Sequence, residues 1–461
     1  HQPLKPVTHM MNRRFSPTQV VTLCILSFLC LVSPLIVTAQ HTPDVLPMRE
    51  RAEVIDQWLE YRLDHVVQEL MEREGIDMWV LVAREYNEDP VLLTMLPATW
   101  QSSRRTTILV FYQPAPGQPV ERFAVARYNI GFFDSQWNPE EQPDQWTRFA
   151  ELVAEKNPDK IGVNMSEHWA QGDGISHTDY THLMESLPEI YQRRVVSAEH
   201  LSVGWLETRT TEEMTTYRQI NRIAHSIIEE GFSEAAITPG VTTTEDMRWW
   251  FRQRIRDRGL TAWFHPSVQV FRADQAPHDG DYSSGVAANV ILPGDVIHVD
   301  FGITYLRLNT DTQRNAYVLR PGETAPPQGL IDALATGNRL QDILTNNFRV
   351  GATGNEILLA ALEQAESEGI NATIYTHPIG YYGHGAGPLI GLWDRQEGVP
   401  VRGEYPMYAN TAYSIELNAE VMVPEWGKPI RMMLEEDAFF DGESVEYIDG
   451  RATEFYLVPR P

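Results

Sequence analysis

Two apolar segments in the second half of the sequence each lie next to an aspartate, and this pair constrains the fold more than any other feature. Asp300 closes the segment "DVIHVD", which predicts a buried strand. Asp311 stands eleven residues later, just before the segment "NAYVL", which predicts another strand. A carboxylate in an interior is costly unless a nearby group compensates its charge. We therefore expect a hairpin that directs both carboxylates at one compensating partner.

The patterns of helix and strand divide the chain into two predicted domains. Residues 46–204 have the pattern of an α/β unit, with a long helical segment followed by apolar strands such as "IDMWVLVA" and "TTILVFYQ". Residues 205–461 combine pairs of amphipathic helices with strands between and after them. Such an arrangement is typical of the α+β class. The predicted fold class is therefore α+β, with a smaller α/β domain before a larger one.

Residues 1–40 have the pattern of a short extension followed by an export signal. Basic residues precede an apolar segment over residues 20–37, and small residues then predict cleavage after Ala39. A membrane anchor is the alternative, because the apolar segment is almost long enough to span a bilayer. Cys24 and Cys30 both lie in this segment, so the predicted mature chain has no disulfide and no thiolate ligand. We expect an exported protein, periplasmic or secreted, with membrane contact only if the signal stays uncleaved.

The charge of the chain argues against nucleic acid as a partner. The sequence has 63 acidic and 37 basic residues, which gives a formal net charge of −26. A protein that binds nucleic acid needs a basic surface to neutralise phosphates, and this composition offers no surplus for one. The excess of acidic residues favours solubility instead.

The larger predicted domain also contains further candidate metal ligands among apolar segments. They are His384 in "YYGHGAGP", Glu416 in "YSIEL", and the adjacent Glu435 and Glu436 in "LEED". Each alone has an ordinary structural explanation, such as a turn or an outward-facing strand position. Together with the two aspartates, however, four carboxylates and one imidazole are the ligand set expected for two divalent cations with bridging carboxylates.

In their order along the chain, the motifs "DFG", "DTQR", "GHGAG", "SIEL" and "LEED" resemble those of the pita-bread metallopeptidases. This family includes methionine aminopeptidase, Xaa-Pro aminopeptidase, prolidase and the metal-free creatinase. The resemblance covers residues 46–461, and residues 46–204 resemble the smaller domain of prolidases and creatinases. It implies a pita-bread catalytic domain over residues 205–461 and a dinuclear metal-dependent aminopeptidase or dipeptidase of the Xaa-Pro type. It also implies a peptide substrate and a homodimer.

The resemblance assigns roles to individual positions. It implies two ions of manganese, cobalt or zinc, with Asp311 and the last glutamate as bridging ligands. Glu435 is the preferred last ligand, and Glu436 is the alternative because neighbouring strand residues face opposite sides. Arg314 would orient Asp311 or balance its charge. The five implied ligands are Asp300, Asp311, His384, Glu416 and Glu435.

Three residues receive catalytic roles from the same resemblance. Glu416 would accept the proton of the attacking water, and His278 would donate a hydrogen bond near the scissile amide. His377 would be a second donor. The family's peptidases usually carry another histidine seven residues after the ligand histidine. Counted from His384, that position is Gly391, which leaves Xaa-Pro specificity open.

Two alternatives stay open at this point. One is a hydrolase that acts on a non-peptide C–N bond, as creatinase does, although creatinase lacks the full ligand set. The other is a binding protein that keeps the fold and the metal without catalysis. Buried carboxylates with no purpose would destabilise the fold, which argues against a site that has lost its metal.

Overall fold

A computed structural model of the chain describes residues 44–274 and 289–460. The predicted export signal, both cysteines and His278 therefore lie outside the described residues. Among the residues that are described, no helix combines the length and the apolar character needed to cross a bilayer.

The first part of the described chain alternates helices and strands. Its helices are α1 (Met48–Glu74), α2 (Pro90–Met95), α3 (Gln145–Lys156), α4 (His177–Ser186), α5 (Glu189–Gln192) and α6 (Glu199–Glu207), with a short 3₁₀ helix at Ala170–Gly172. Its strands are β1 (Met78–Arg84), β2 (Thr106–Tyr112), β3 (Glu121–Val125), β4 (Asp134–Ser135), β5 (Ile161–Val163) and β6 (Val195–Ser197).

These six strands form one mixed sheet in the order β4-β3-β2-β1-β5-β6. The central strand β1 pairs antiparallel with β2 and parallel with β5. Six of its seven residues are buried, so its nearly continuous apolar sequence is what a strand covered on both faces requires. The α/β character expected for this part of the chain is confirmed.

The second part is an α+β arrangement, which confirms the predicted fold class. Its helices are α7 (Thr211–Gly231), α8 (Thr244–Asp257), α9 (Gln328–Thr345) and α10 (Gly354–Ser367). Its strands are β7 (Ser267–Phe271), β8 (Val296–Phe301), β9 (Thr304–Tyr305), β10 (Leu308–Asn309), β11 (Thr312–Val318), β12 (Asn371–Ile374), β13 (His377–Pro378), β14 (Thr411–Ser414), β15 (Leu417–Val423), β16 (Lys428–Leu434), β17 (Asp437–Phe440), β18 (Val445–Tyr447) and β19 (Tyr456–Val458).

The predicted pairing of the two aspartate-bearing strands is confirmed. Strands β8 and β11 are antiparallel neighbours in a sheet of order β19-β11-β8-β7, with Asp300 opposite Gln313. Asp311 immediately precedes β11, and the small β9–β10 hairpin fills the connection. Two aspartates eleven residues apart therefore come to lie at the same end of one strand pair.

Two further sheets bring in the glutamates. One has the order β12-β15-β16, and the other has the order β13-β14-β17-β18. The chain crosses between these sheets twice, at Glu416 after β14 and at Glu435–Glu436 after β16. Backbone hydrogen bonds fix both crossings, since the carbonyl of Glu416 accepts from Tyr375 and that of Glu435 accepts from Gln313, each at 3.1 Å.

A buried ion pair joins the first part of the chain to the second. Arg62 of α1 and Glu213 of α7 are both fully buried, and their side chains approach to 3.2 Å. The guanidinium of Arg62 lies 4.4 Å from the ring centre of Trp205 and 5.2 Å from that of Tyr381. Glu213 also accepts from the backbone N–H of Thr210, which makes it part of the capping box that begins α7.

Replacement of Glu213 should therefore destabilise the protein much more than replacement of an exposed capping glutamate. Glu213→Ala leaves the buried Arg62 uncompensated, which costs about 3–5 kcal/mol of unfolding free energy. The matched control is Glu356→Ala, because Glu356 closes an equivalent but exposed capping box on α10. That change should cost about 1 kcal/mol. Urea unfolding measures both, and equal losses would show that the buried pair is not a major stabilising contact.

Candidate metal centre

Three carboxylates from two different parts of the chain meet at the end of the β8–β11 pair. Asp300, Asp311 and Glu435 each offer an oxygen atom, and these atoms all lie within 4.8 Å of one another. Asp311 is 4% exposed and Glu435 is 1% exposed. Like charges packed this closely in an interior repel one another unless they take up protons or bind a cation.

His377 is the imidazole that lies among these carboxylates. Its Nε2 lies 3.4 Å from Oε1 of Glu435 and 3.7 Å from Oδ2 of Asp311. His377 also forms a second group with Glu416 and Glu435, with all three ligand atoms within 4.8 Å. Its Nδ1 lies 3.0 Å from the carbonyl oxygen of Pro378, which can only accept, so Nδ1 carries the hydrogen. The lone pair of the neutral ring is therefore on Nε2, which faces the carboxylates.

His384 lies beside His377, at the outer edge of the same site. The two ring centres are 4.8 Å apart, and His384 joins a third group with Asp311 and His377. His384 is exposed, whereas His377 is 5% exposed. The ring of Trp263 packs edge-on against His384 with its centre 5.2 Å away. The structure thus brings both histidines to the centre, with His377 among the buried carboxylates and His384 at the exposed edge.

The spacing of the two histidines gives this arrangement a signal that the sequence analysis missed. His384 follows His377 by seven residues, which is the interval between the two histidines in the family pattern. A count from His377 puts His384 at the second position, whereas a count from His384, in the "GHG" motif, puts Gly391 there.

The pKa values of the cluster reflect burial and mutual repulsion. Burial, followed by the charge of Glu435, raises the pKa of Asp300, Asp311 and Glu416 well above the usual carboxyl range. Burial raises the pKa of Glu435 to about 7, while hydrogen bonds, first of all from Ser414, limit the shift. Without a cation, the fold therefore favours protonated carboxyls at this site.

Neighbouring side chains fix the orientation of the carboxylates. The hydroxyl of Ser414 donates to Glu435 at 2.7 Å, and the amide of Gln313 donates to Glu416 at 2.7 Å. Gln313 is in turn oriented by His298, whose Nε2 lies 3.0 Å from the amide oxygen of Gln313. The two glutamates therefore point inward because strands β11 and β14 carry polar residues directed at them.

Glu436 points away from the cluster, and this also corrects the expectation for Arg314. Arg314 pairs with Glu436 rather than with Asp311, and the backbone N–H of Ala452 donates to Glu436 at 2.8 Å. Arg314 also donates to Nε2 of His225 at 2.8 Å. The expectation that Arg314 orients Asp311 is wrong, because the ion pair of this guanidinium is with Glu436 and its side-chain contact is with His225.

The residues present fit a divalent cation site. Among the described residues, Oδ1 of Asp300, Oδ1 of Asp311 and Nε2 of His377 are buried and have no hydrogen-bond partner. Buried polar atoms are normally paired, so three unpaired ligand atoms at one point indicate a missing partner. Hard carboxylate oxygens with one imidazole suit manganese, cobalt or zinc.

Comparison with known proteins agrees with this description. Residues 216–438 match the model of metallopeptidase family M24. An X-Pro aminopeptidase from Thermotoga maritima is similar in structure, with a TM-score of 0.60 and 16% identity over 84% of this chain and 99% of that one. An Xaa-Pro dipeptidase from Bacillus anthracis has a TM-score of 0.57 and 17% identity over 89% and 100% of the two chains. A prolidase from Pyrococcus horikoshii has a TM-score of 0.51 and 13% identity over 87% and 99%. No curated protein sequence matches the chain.

Residues 216–438 form a metallopeptidase family M24 domain with the pita-bread fold, and the protein is a peptidase. The neighbouring structures establish the fold over nearly their whole length, including the smaller domain in front of the catalytic one. Peptidases of this family depend on divalent metal, and the carboxylate–histidine groups of this chain could bind it.

The effect of metal on stability should depend on pH. The unfolded chain ionises its carboxyls near pH 4. In the folded cluster, burial raises the pKa of Glu435 to about 7 and raises the pKa of the other three carboxyls well above the usual range. The unfolded state therefore binds fewer protons in this window, and this cluster destabilises the metal-free protein as pH rises through it. Because a bound cation removes that penalty, manganese should raise the Tm more at pH 7.5 than at pH 5, by roughly 5 °C or more at the higher pH.

Thermal unfolding in EDTA and in manganese measures this difference. Asp311→Asn removes one carboxyl whose pKa is raised by folding, so it should raise the Tm in EDTA at pH 7.5 and reduce the response to metal. The control is Glu420→Gln, an exposed change on β15 that should alter neither. An equal manganese effect at both pH values, or a full effect in Asp311→Asn, would contradict a metal site at this cluster.

Proposed function

We propose that the protein is a dinuclear metal-dependent peptidase of the Xaa-Pro type. The observation that carries this proposal is the convergence of four carboxylates and His377 in overlapping groups of ligand atoms, with Asp311, His377 and Glu435 buried. The ligand set that we propose is Asp300, Asp311, His377, Glu416 and Glu435, which replaces His384 by His377 in the expected set. The named activities of the similar structures, X-Pro aminopeptidase, Xaa-Pro dipeptidase and prolidase, support the substrate class.

The remaining residues of the centre take the roles that substrate hydrolysis requires. Two divalent cations supply a more acidic water and a polarised substrate carbonyl when bound. Glu416 accepts the proton of the attacking water, and its orientation for this task comes from Gln313. His384, exposed beside the buried ligands, donates a hydrogen bond to the substrate at the scissile amide. His278 shares this donor role in the proposal, as the family resemblance implies.

Arg402 supports a preference for substrates with a free carboxylate near the cleaved bond. Burial lowers the pKa of His377 and of His384 to about 4, and the positive charge of Arg402 adds to both shifts. The guanidinium therefore lies within electrostatic range of the two histidines. Its Nε is buried and has no hydrogen-bond partner among the described residues. An arginine in this state is suited to bind the terminal carboxylate of a dipeptide.

Export and self-association also belong to this proposal. The pattern of residues 1–40 supports cleavage near Ala39 and a periplasmic or secreted location, and the resemblance to the family supports a homodimer.

A peptide panel tests the proposed activity. The mature protein is assayed with manganese, cobalt or zinc on Xaa-Pro dipeptides, Xaa-Pro tripeptides and matched peptides without proline. We expect faster cleavage of Xaa-Pro bonds, with the dipeptide preferred. Arg402→Met should raise the KM for the dipeptide roughly tenfold or more, since one charge-assisted hydrogen bond contributes about 1.5–3 kcal/mol. It should change the KM for the amidated dipeptide much less.

Asp311→Asn serves as the control for contaminating peptidases in this assay. Turnover that persists in this variant would show that the activity comes from another protein or another site. Cleavage of none of the peptides with any metal would contradict the proposed function.

A further inference from the structure

The loop that carries His384 is held from outside by the smaller domain. The side-chain amide of Gln171 donates to the carbonyl oxygen of His384 at 2.8 Å. The indole N–H of Trp169 donates to the carbonyl oxygen of Gly387 at 3.3 Å. The hydroxyl of Tyr382, on the same loop, donates to the carbonyl oxygen of Pro90 at 2.9 Å. Three contacts across the domain junction therefore fix a loop that lies at the metal centre.

We propose that Gln171 is a positioning residue for His384, acting across the domain junction. The expected effect of Gln171 on catalysis rests on the proposed function. The contact between Gln171 and the backbone of His384 does not depend on the reaction. Gln171 does not touch the metal ligands by any hydrogen bond in the described residues; its bond is to the backbone of the exposed histidine.

The backbone around His384 needs such an external restraint. The histidine stands in the sequence "GHGAG", and glycines on both sides leave the main chain a wide choice of conformations. Gly387 has a φ of +136°, which other residues rarely adopt. A side chain added at Gly383 would lie 2.3 Å from the ring of Trp263, so glycine is needed there for close packing. The glycines that allow close packing against Trp263 therefore also make the backbone of this loop more flexible. The hydrogen bonds to the carbonyl groups of His384 and Gly387 restrain it.

Gln171 is itself well anchored. It is the middle residue of the 3₁₀ helix Ala170–Gly172, whose turn is closed by a 2.8 Å bond from the N–H of Gly172 to the carbonyl of Trp169. Trp169 is 1% exposed and packs edge-on against Tyr405, with ring centres 5.5 Å apart. The donor amide therefore projects from a rigid base, which is what a positioning group requires.

Loss of this donor should affect the rate more than the binding of substrate. Gln171→Leu keeps a side chain of similar size without the amide donor, and we expect kcat to fall about tenfold with little change in KM. A small displacement of a group that acts in the transition state commonly has an effect of this size or larger. Gln171→Lys keeps a donor of sufficient length and should restore most of the rate.

The matched control comes from the same domain. Gln192 donates through its side-chain amide to the carbonyls of Met184 and Leu187, both at 2.8 Å. Both acceptors belong to the smaller domain, and neither is part of the loop that carries His384. Gln192→Leu removes two such bonds and should lower the Tm at least as much as Gln171→Leu does. It should leave kcat unchanged, because a purely structural loss in this domain does not move His384.

A second measurement does not depend on activity. The ring signals of the metal-free protein labelled with ¹³C-histidine are recorded by NMR, and the His384 signal is assigned with His384→Gln. In Gln171→Leu this signal should shift or broaden, while Gln192→Leu should leave it in place. An unchanged His384 signal in Gln171→Leu would overturn the inference whether or not the protein cleaves peptides. A shifted signal in a protein without peptidase activity would support the inference and contradict the proposed function.

Discussion

The structure depends on the burial of four mutually repelling carboxylates at the point where its sheets meet. Asp300 and Asp311 come from one strand pair, and Glu416 and Glu435 occupy the two crossings between the other sheets. Burial raises the pKa of each of these acids, and repulsion adds to the shift at Asp300, Asp311 and Glu416, so the metal-free site destabilises the fold. A bound cation is coordinated by these carboxylates and compensates their charges. Metal binding therefore stabilises the sheets that carry them.

The smaller domain contacts the loop that carries His384 beside the metal centre. Arg62 and Glu213 form a fully buried pair at its junction with the catalytic domain, and Tyr381 of the histidine loop packs against that pair. Gln171 and Trp169 bind the next turn of the same loop through its carbonyl groups. The catalytic domain therefore receives part of its active-site geometry from the residues that precede it.

Sequence reasoning reached Asp300 and Asp311 through the apolar strands in which or beside which they lie, β8 and β11. It reached Glu416 and Glu435 through their resemblance to the family's motifs, and the alternation of strand residues means that only one of Glu435 and Glu436 can face the site. Strand alternation could not separate the two histidines, because His377 lies in the two-residue strand β13 and His384 follows in a glycine-rich loop without a strand period. The loop folds back through a 2.8 Å bond from the N–H of Gly385 to the carbonyl of Pro378, and this reversal leaves His377 inside and His384 outside. Arg314 was misassigned because its partners, Glu436 and His225, come from distant parts of the chain.

The assignment of His377 is the central claim, and metal stoichiometry tests it most directly. Wild-type protein, His377→Ala and His384→Ala are saturated with manganese, passed through a desalting column and analysed for metal per chain. The account predicts two ions in the wild type, the same number in His384→Ala, and a loss of at least one ion in His377→Ala. Full metal content in His377→Ala, together with a loss in His384→Ala, would contradict it.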